Sequence, residues 1–405
     1  MNTSTLVIFI IVYVGMFLGR IPGLAIDRSG IALLGGIALL ATGNLESADA
    51  WEAVDVPTIA LLFGLMVLSA QLRLGGFYTA VTRQIAEKPT TPARLLAIVM
   101  LLAAGLSALL ANDIICLAMT PPLAEGLLRR RLNPVPFLIG LACAANIGSA
   151  ATLIGNPQNM LIGQALQLSF AGYLMDGMPP ALLGTLAAWG LIALFYRRHW
   201  HTQTGHIPAE MEAPAFNGWQ VAKGLTVLLA LVVCFLAAPW PREVVALTAA
   251  GIILLSRRFH SRSTLGLVDW ELLVLFIGLF VVNHALTAES WHRFLVDATA
   301  DAGFDLSLPG MLFTATVVLS NLVSNVPAVM LLLPVSAHPL TGPILALAST
   351  LAGNLLLIGS IANLIVVEKA RPFGIEISWR EHALVGIPVT MVTLLIAAGW
   401  LLLLA

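Results

Sequence analysis

Two seven-residue stretches, LSALLAN at 106–112 and LSNLVSN at 319–325, share leucine, serine, leucine and asparagine at the same places. Their offset in the numbering is 213, and Pro121 and Pro334 repeat it. A second pair, LIGNPQN at 153–159 and LIGSIAN at 357–363, repeats at an offset of 204. Polar residues that recur in register within apolar sequence indicate an internal repeat, with one related unit in each half of the chain.

The composition is that of a protein that faces lipid. Hydrophobic residues make up 59% of the 405 positions and charged residues 10%, against roughly 25% charged in soluble proteins. Apolar stretches of about 20 residues, the length that crosses the hydrocarbon core, recur along the chain. The three cysteines have no paired spacing and exclude a disulfide framework or a zinc site. The partner of this surface is the lipid bilayer, and no nucleic-acid partner is expected.

The basic residues predict the topology, because loops that stay in the cytoplasm retain lysine and arginine. All of them except Arg242 and Arg293 fall in six clusters: Arg20 with Arg28, and residues 73–94, 129–131, 197–223, 257–262 and 369–380. We assign these clusters to the cytoplasm. Both termini then lie outside, in the periplasm of a bacterium, and the protein is expected in the inner membrane.

Two segments begin and end on the same side under this assignment. Residues 95–128 are entered from the cytoplasm and residues 306–337 from outside, and each is interrupted in its middle by polar residues. Non-helical backbone survives at membrane depth only where it is buried in protein or lines a watery cavity. Both segments are therefore predicted to be re-entrant hairpins.

The remaining apolar segments give five spans on each side of one polar linker. The predicted division is a first repeat at 1–196, a cytoplasmic linker at 197–223 and a second repeat at 224–405. The predicted spans are 5–20, 29–43, 57–74, 135–168 and 180–196, then 224–240, 243–256, 270–287, 341–367 and 383–404. Because five is odd, the second repeat is inverted. The predicted fold is an all-α polytopic membrane protein with two inverted repeats of five spans, each containing a re-entrant hairpin and a broken helix.

Inverted repeats with broken helices are typical of secondary transporters, which bind substrate near the bilayer midplane where the repeats meet. Four polar interruptions at that depth supply the candidate site. The predicted substrate- or ion-binding residues are Asn112, Asp113, Thr152, Asn156, Gln158, Asn159, Ser324, Asn325, Ser360 and Asn363. Three further residues just before the breaks are predicted to line the cavity: Asn146, Thr350 and Asn354.

Asp113 is the acidic residue at the centre of an apolar segment, and Val326 takes its place in the second repeat. Ionisable residues within membranes are costly and usually functional. The carboxylate is predicted to hold Na⁺ or to take up a proton, and its alternative role is to cap the second arm of the hairpin. His284 is interpreted as a packing or pore-wall residue. No lysine or arginine lies near the four interruptions in the sequence, so the residues alone leave the sign of the substrate open.

The stretch ANDIICLAMTP at 111–121 with TLIGNPQN at 152–159 resembles the ion transporter superfamily, as do SNVP at 324–327 and LAGNLLLIGSIANLIVVE at 351–368. That superfamily includes divalent-anion/sodium symporters, citrate transporters and arsenite or sodium/proton antiporter permeases. The resemblance covers essentially the whole chain. It implies a homodimer. For a secondary transporter driven by Na⁺ or H⁺, the expected cofactor is a bound cation and nothing organic.

In the symporter branch each hairpin tip carries Ser-Asn-Thr and each break carries an asparagine. The resemblance implies a possible Na⁺ site at Asn112, Asp113, Asn159, Asn325 and Asn363. This chain has Ala-Asn-Asp and Ser-Asn-Val at the tips, and its Asn-Asp pair is similar to the arsenite-permease branch, which implies proton coupling.

The sequence thus predicts a secondary active transporter, not an enzyme, that moves a small anionic solute (a carboxylate or an inorganic oxyanion) coupled to Na⁺ or H⁺. The alternative is an arsenite or metalloid efflux permease or a sodium/proton antiporter. An ion channel is a less favoured alternative. The sequence contains no motif of an intramembrane protease, and a single intramembrane aspartate does not make a paired-carboxylate site.

Overall fold

The computed structural model describes residues 2–19, 23–201, 214–289, 291–335 and 338–405. Arg20 of the first basic cluster, residues 202–213 of the predicted linker and the last two residues of the predicted second hairpin lie outside this part of the chain. Within the described ranges the chain is built from α-helices and has no β-strand.

The helices are numbered in chain order, ten in each half of the described chain. The first ten are α1 (Thr3–Leu18), α2 (Arg28–Ala41), α3 (Ser47–Ala53), α4 (Val56–Leu74), α5 (Phe77–Ala86), α6 (Pro92–Leu109), α7 (Asn112–Arg129), α8 (Val135–Ser149), α9 (Pro157–Ala165) and α10 (Phe170–Phe195). The second ten are α11 (Gly218–Ala237), α12 (Arg242–Leu254), α13 (Ser261–Leu265), α14 (Trp270–Ala288), α15 (Trp291–Asp301), α16 (Pro309–Val323), α17 (Asn325–Leu332), α18 (Thr341–Ala352), α19 (Ile361–Ala370) and α20 (Trp379–Leu404).

Each half contains a hairpin, a broken helix and a long final helix in the same order. Helices α6 and α7 form the first hairpin, α8 and α9 the first broken helix, and α10 the final helix; α16 to α20 repeat this order. Helices α10 and α20 both have 26 residues and both contain proline. The order of elements confirms the all-α fold with two repeats.

Helices of the two halves pack against each other in two equivalent pairs, α2 with α14 and α4 with α12. A Cβ atom at Gly64 of α4 would lie 2.6 Å from the backbone of Ala246 in α12, and one at Gly278 of α14 would lie 2.5 Å from the backbone of Ala32 in α2. The two glycines are at an offset of 214 in the numbering, and so are the two alanines. Small residues let helices in membranes approach closely, and here the same contact is built twice. This reciprocal contact fits the inverted repeats of the predicted fold.

We expect Gly64→Ala and Gly278→Ala each to lower the midpoint of thermal unfolding. The added methyl group meets backbone atoms, and overpacking of this kind costs about 1–3 kcal/mol. The matched control is Gly251→Ala in α12, where a Cβ meets nothing within 4 Å. That variant should be neutral or stabilising, because alanine restricts the unfolded chain. Equal midpoints for Gly64→Ala and Gly251→Ala would contradict the close contact.

Six of the described helices are long and apolar enough to cross a membrane, namely α4, α6, α10, α11, α14 and α20. Five shorter apolar helices, α1, α2, α8, α16 and α18, accompany them. The predicted long spans at 135–168 and 341–367 are each divided into two helices, as the predicted breaks require. Four short helices, α3, α5, α13 and α15, were not predicted, because they lie between the apolar runs on which the span prediction depends.

Candidate binding site

The two breaks are held together by one asparagine each, with the same geometry. The Nδ2 of Asn159 donates to the carbonyl oxygens of Thr152 at 2.9 Å and Ser149 at 3.4 Å. The Nδ2 of Asn363, its counterpart at an offset of 204, donates to the carbonyls of Leu356 at 3.1 Å and Gly353 at 2.8 Å. Both acceptors are displaced by that same offset. These amides satisfy backbone groups that the break releases from helical bonding.

The long final helices add a second matched pair, which sequence reasoning missed. The hydroxyl of Tyr173 in α10 donates to the carbonyl of Ala150 at 2.8 Å. The Nε2 of His382 in α20 lies 3.2 Å from the carbonyl of Asn354. The two acceptors keep the offset of 204, whereas Tyr173 and His382 are at an offset of 209. Because tyrosine and histidine also differ, a search for identical residues at a fixed offset does not detect this pair.

The repeats are joined by two hydrogen bonds that are each other's counterparts. The Oδ1 of Asn146 in α8 accepts from the hydroxyl of Ser360 at 3.0 Å. The hydroxyl of Thr350 in α18 accepts from the Nδ2 of Asn156 at 3.2 Å. Asn146 and Thr350 are at the offset of 204, as are Asn156 and Ser360. The Nε2 of Gln158 also donates to Thr350, at 3.1 Å. Five predicted residues therefore meet where the repeats meet.

Asn146 is the centre of this polar cluster. Its Oδ1 also accepts from the Nδ2 of Asn112 at 3.0 Å, and its Nδ2 donates to the Oδ1 atoms of Asn354 at 2.9 Å and Asn363 at 3.3 Å. Asn146 is 1% exposed. It was predicted only to line the cavity, but it connects the first hairpin tip to the break of the second repeat.

The second hairpin tip is bonded differently. The Oδ1 of Asn325 accepts from the hydroxyl of Ser320 in its own hairpin, and Asn325 is not among the described partners of Asn146. Ser324 has φ +80° and ψ 162°, a backbone region used almost only by glycine and costing about 1–3 kcal/mol. Its counterpart Ala111 is relaxed, with φ −57°. Thr152 is structural, because its hydroxyl donates to the carbonyl of Ala108 and accepts from the amide of Ile154.

A small pocket lies between the two tips. Its volume is about 40 Å³. Its polar lining is Arg28, Asn112, Asp113, Gln158, Ser324, Asn325 and Ser360. We call it the central pocket. The central pocket therefore unites both tips with residues of both breaks. Separately, the buried Oδ1 atoms of Asn112 and Asn159 have no hydrogen-bond partner among the described residues.

The expectation that no basic residue is near the interruptions is wrong in the folded chain. Arg28, the first residue of α2, lines the central pocket and has no hydrogen bond or ion pair with the described residues. Arg73, in the last turn of α4, lines a cavity beside Asp113. Both arginines are distant from the tips in sequence and reach them by helix packing.

Asp113 does not cap its helix. Helix α7 has Ala111 at the capping position, without a side-chain hydrogen bond. The carboxylate of Asp113 instead lines the central pocket and a neighbouring cavity of about 180 Å³. It makes no hydrogen bond or ion pair with the described residues. We name this neighbouring space the Asp113 cavity; Met66, Ala70, Arg73 and Asp269 also line it.

A second cavity, of about 250 Å³, occupies the equivalent place in the other repeat. We name it the His284 cavity. Residues at an offset of 214 line the two spaces: Met66 and Phe280, Ala70 and His284, Arg73 and Thr287, Asp55 and Asp269. The Asp113 cavity lies where α4 ends and α14 begins, and the His284 cavity lies where α4 begins and α14 ends. The described lining of the His284 cavity includes no residue of either hairpin tip.

A helical bundle with two repeats, apolar spans and a polar cluster at its centre defines an integral membrane transporter. The sequence profile of the citrate transporter family (CitMHS) matches residues 6–352. The chain belongs to this family, and its resemblance to the ion transporter superfamily is confirmed.

Several named proteins are similar to this chain. Inner membrane protein YbiR of Escherichia coli (strain K12) is 34% identical, over 82% of this chain and 83% of YbiR. The silicon efflux transporter LSI3 of Oryza sativa subsp. japonica is 27% identical, over 92% of each chain. The putative transporter arsB of Dictyostelium discoideum is 23% identical, over 92% of this chain and 87% of arsB.

The crystal structure of the Alcanivorax borkumensis YdaH transporter is similar in fold. It superimposes with a TM-score of 0.60 at 15% identity, covering 98% of this chain and 96% of that one. At this identity the likeness shows the fold alone.

Proposed function

We propose that the protein is a secondary active transporter that carries a small anion, a carboxylate or an inorganic oxyanion, by alternating access. The observation that carries the proposal is the central pocket. There Arg28, which has no ion-pair partner among the described residues, lies beside amides and hydroxyls from both repeats. An unpaired guanidinium binds carboxylates and oxyanions through several charge-assisted hydrogen bonds. Citrate, the solute in the family's name, falls within this class.

The two cavities support a carrier rather than a channel. They are built from equivalent residues of α4 and α14, yet of the two described linings only that of the Asp113 cavity reaches a hairpin tip. In a protein with inverted repeats, one part rocks against the other, and each repeat then adopts the arrangement that the other repeat had before. We infer that the opposite conformation connects the tips to the His284 cavity and closes the Asp113 cavity.

We propose that transport is coupled to protons through Asp113. Of the predicted Na⁺ ligands, Asn325 and Asn363 already use their Oδ1 atoms as acceptors within the protein. The Asp113 cavity is otherwise lined mostly by apolar side chains, which offer a cation few oxygen ligands. Burial in such a place favours the neutral form of a carboxylate, whereas the positive charge of Arg73 in the same lining favours the ionised form. Proton binding and release at Asp113 are the events that the conformational change can couple to transport.

The proposed sidedness follows from the basic loops. We propose that the Asp113 cavity opens to the cytoplasm, that both termini lie outside, and that the chain forms the homodimer implied by its superfamily. Attaching a reporter of periplasmic or cytoplasmic location to the C-terminus tests the orientation. A cytoplasmic terminus would contradict it.

We expect Arg28→Gln to raise the KM for transport at least about tenfold, since a hydrogen bond to a charged group contributes about 1.5–3 kcal/mol. The measurement is uptake of radiolabelled citrate, sulfate, arsenate and arsenite into proteoliposomes. The KM of Arg28→Lys should lie between those of the unsubstituted protein and Arg28→Gln. The control Lys369→Gln changes a half-exposed residue whose side chain pairs, among the described residues, with its neighbour Glu368. An unchanged KM in Arg28→Gln, or uptake of none of the four solutes, would contradict the proposal.

A further inference from the structure

A second space, which we call the vestibule, adjoins the Asp113 cavity. The vestibule has a volume of about 170 Å³ and is lined by Arg73, Arg83, Ala118 and Glu125, among others. Arg73 and Leu117 line both the vestibule and the Asp113 cavity. A solute that moves between the vestibule and the hairpin tip therefore passes Arg73.

The charges of the vestibule are not equivalent. Glu125 is bonded to Arg83 at 3.2 Å and to Arg129 at 2.7 Å, so the charge of Arg83 is partly neutralised. The guanidinium of Arg73 has no hydrogen bond or ion pair with the described residues. It is half-buried where the two spaces join. A positive charge held between low-dielectric walls concentrates anions and repels cations.

The His284 cavity lacks this feature. Thr287, the counterpart of Arg73, donates its hydroxyl to the carbonyl of Asn283 at 2.9 Å. Asp55, the counterpart of Asp269, accepts from the backbone amide of Thr58 at 2.9 Å, just as Asp269 accepts from Leu272. No lysine or arginine is among the described residues that line the His284 cavity. The two cavities thus share an aspartate at equivalent positions, Asp269 and Asp55, and differ in Arg73 against Thr287 and Ala70 against His284. Asp113 lines only the first of them.

We propose that Arg73 makes the entrance to the Asp113 cavity selective for anions, and that Thr287 leaves the entrance to the His284 cavity without such selection. This inference rests on the proposed function, because it assigns a side to the capture of the substrate anion. The anion half-saturates the carrier at a lower concentration from the Arg73 side than from the Thr287 side. A carrier cannot change the equilibrium distribution of the solute across the membrane. Tighter capture of the anion on one side is therefore accompanied by slower release on that same side.

The test uses charged thiol reagents and needs no knowledge of the substrate. Ala118 lines the vestibule and Leu331, its counterpart in the second hairpin, lines the His284 cavity; both are half-buried. Ala118→Cys and Leu331→Cys are made separately in a Cys234→Ser background, with the buried Cys116 and Cys143 retained. Each is reacted with an anionic sulfonatoethyl and a cationic trimethylammonioethyl methanethiosulfonate. The measured quantity is the ratio of the anionic to the cationic rate.

We expect Arg73→Gln to lower this ratio about tenfold at position 118 and to leave it unchanged at position 331. Arg73→Lys should preserve the ratio, because the charge is retained. Thr287→Arg should raise the ratio at position 331, and this gain does not depend on the tolerance of position 73 to substitution. A ratio at position 118 that is the same in Arg73→Gln and in the unsubstituted protein would overturn the inference.

Failure of this inference and failure of the proposed function give different results. If the labelling ratios respond as expected while none of the four radiolabelled solutes is transported, the anion-selective entrance stands and the proposed function fails. If transport occurs but the ratios do not respond, the proposed function stands and Arg73 is not the selective residue.

Discussion

We expect Asp113→Asn to abolish concentrative transport while leaving the protein folded. Asparagine has nearly the same shape but does not exchange a proton, and the Asp113 side chain has no hydrogen-bond partner to lose among the described residues. With one proton per solute, a gradient of one pH unit supplies about 1.4 kcal/mol and sustains about tenfold accumulation. The variant should reach an accumulation ratio of about one. The measurement is solute uptake into proteoliposomes at a fixed pH gradient.

Two controls separate coupling from general damage. Asp269→Asn changes the other carboxylate of the same cavity, but asparagine also caps helices well, so α14 keeps its start and accumulation should persist. Uptake driven by a sodium gradient at equal pH should be absent in the unsubstituted protein. Sodium-driven accumulation that Asp113→Asn abolishes would contradict proton coupling and support a Na⁺ site at this residue.

The second large effect concerns stability. We expect Asn146→Leu to lower the free energy of unfolding by about 3 kcal/mol or more. Leucine fills the same volume but leaves Asn112, Ser360 and Asn354 without their hydrogen-bond partner, and each buried polar group left unpaired costs about 1–3 kcal/mol. Because the bonds to Asn354 and Ser360 connect the two repeats, most of the loss falls on the contact between the repeats. Thermal unfolding of the purified protein in detergent measures the change.

The matched variants are Thr350→Val and Cys143→Ala. Thr350 is the counterpart of Asn146 and accepts only from Asn156 and Gln158 among the described residues, so its replacement should cost less than that of Asn146. Cys143 lies one turn earlier on α8, is buried and carries no polar bond that the cluster uses. If Asn146→Leu unfolds at the same temperature as Cys143→Ala, the polar cluster does not hold the repeats together.

The sequence predicts best the elements that carry matching residues in both repeats. The hairpin tips at Asn112 and Asn325 and the breaks at Asn159 and Asn363 carry identical residues at constant offsets. The structure places Asn112 and Asn325 in the central pocket and bonds Asn363 to Asn146 of the other repeat. The offset changes between hairpin and broken helix because the connecting chain differs in length, and it is constant within each element. Asn159 and Asn363 lie on the broken helices as predicted, but their Nδ2 groups are used by the backbone.

The parts that could not be predicted depend on tertiary contact between unlike residues. Arg28 and Arg73 were interpreted only as topology signals, because nothing local shows that α2 and α4 bring their ends to the hairpin tip. Tyr173 and His382 perform one role with two chemistries, which conceals the match. Asn146 looks like any polar residue in an apolar helix until its partners from the other half are in place.

The most direct test of alternating access is the reactivity of a cysteine at the hairpin tip. Val326 lines the central pocket and is buried, so Val326→Cys places a thiol where the substrate is proposed to bind. An impermeant thiol reagent is applied to one face of sealed vesicles at a time, across a range of pH and with or without citrate. The two rates should change in opposite directions, because each conformation exposes the tip to one side. Rates that rise and fall together from both faces would contradict a carrier and indicate a continuous pore.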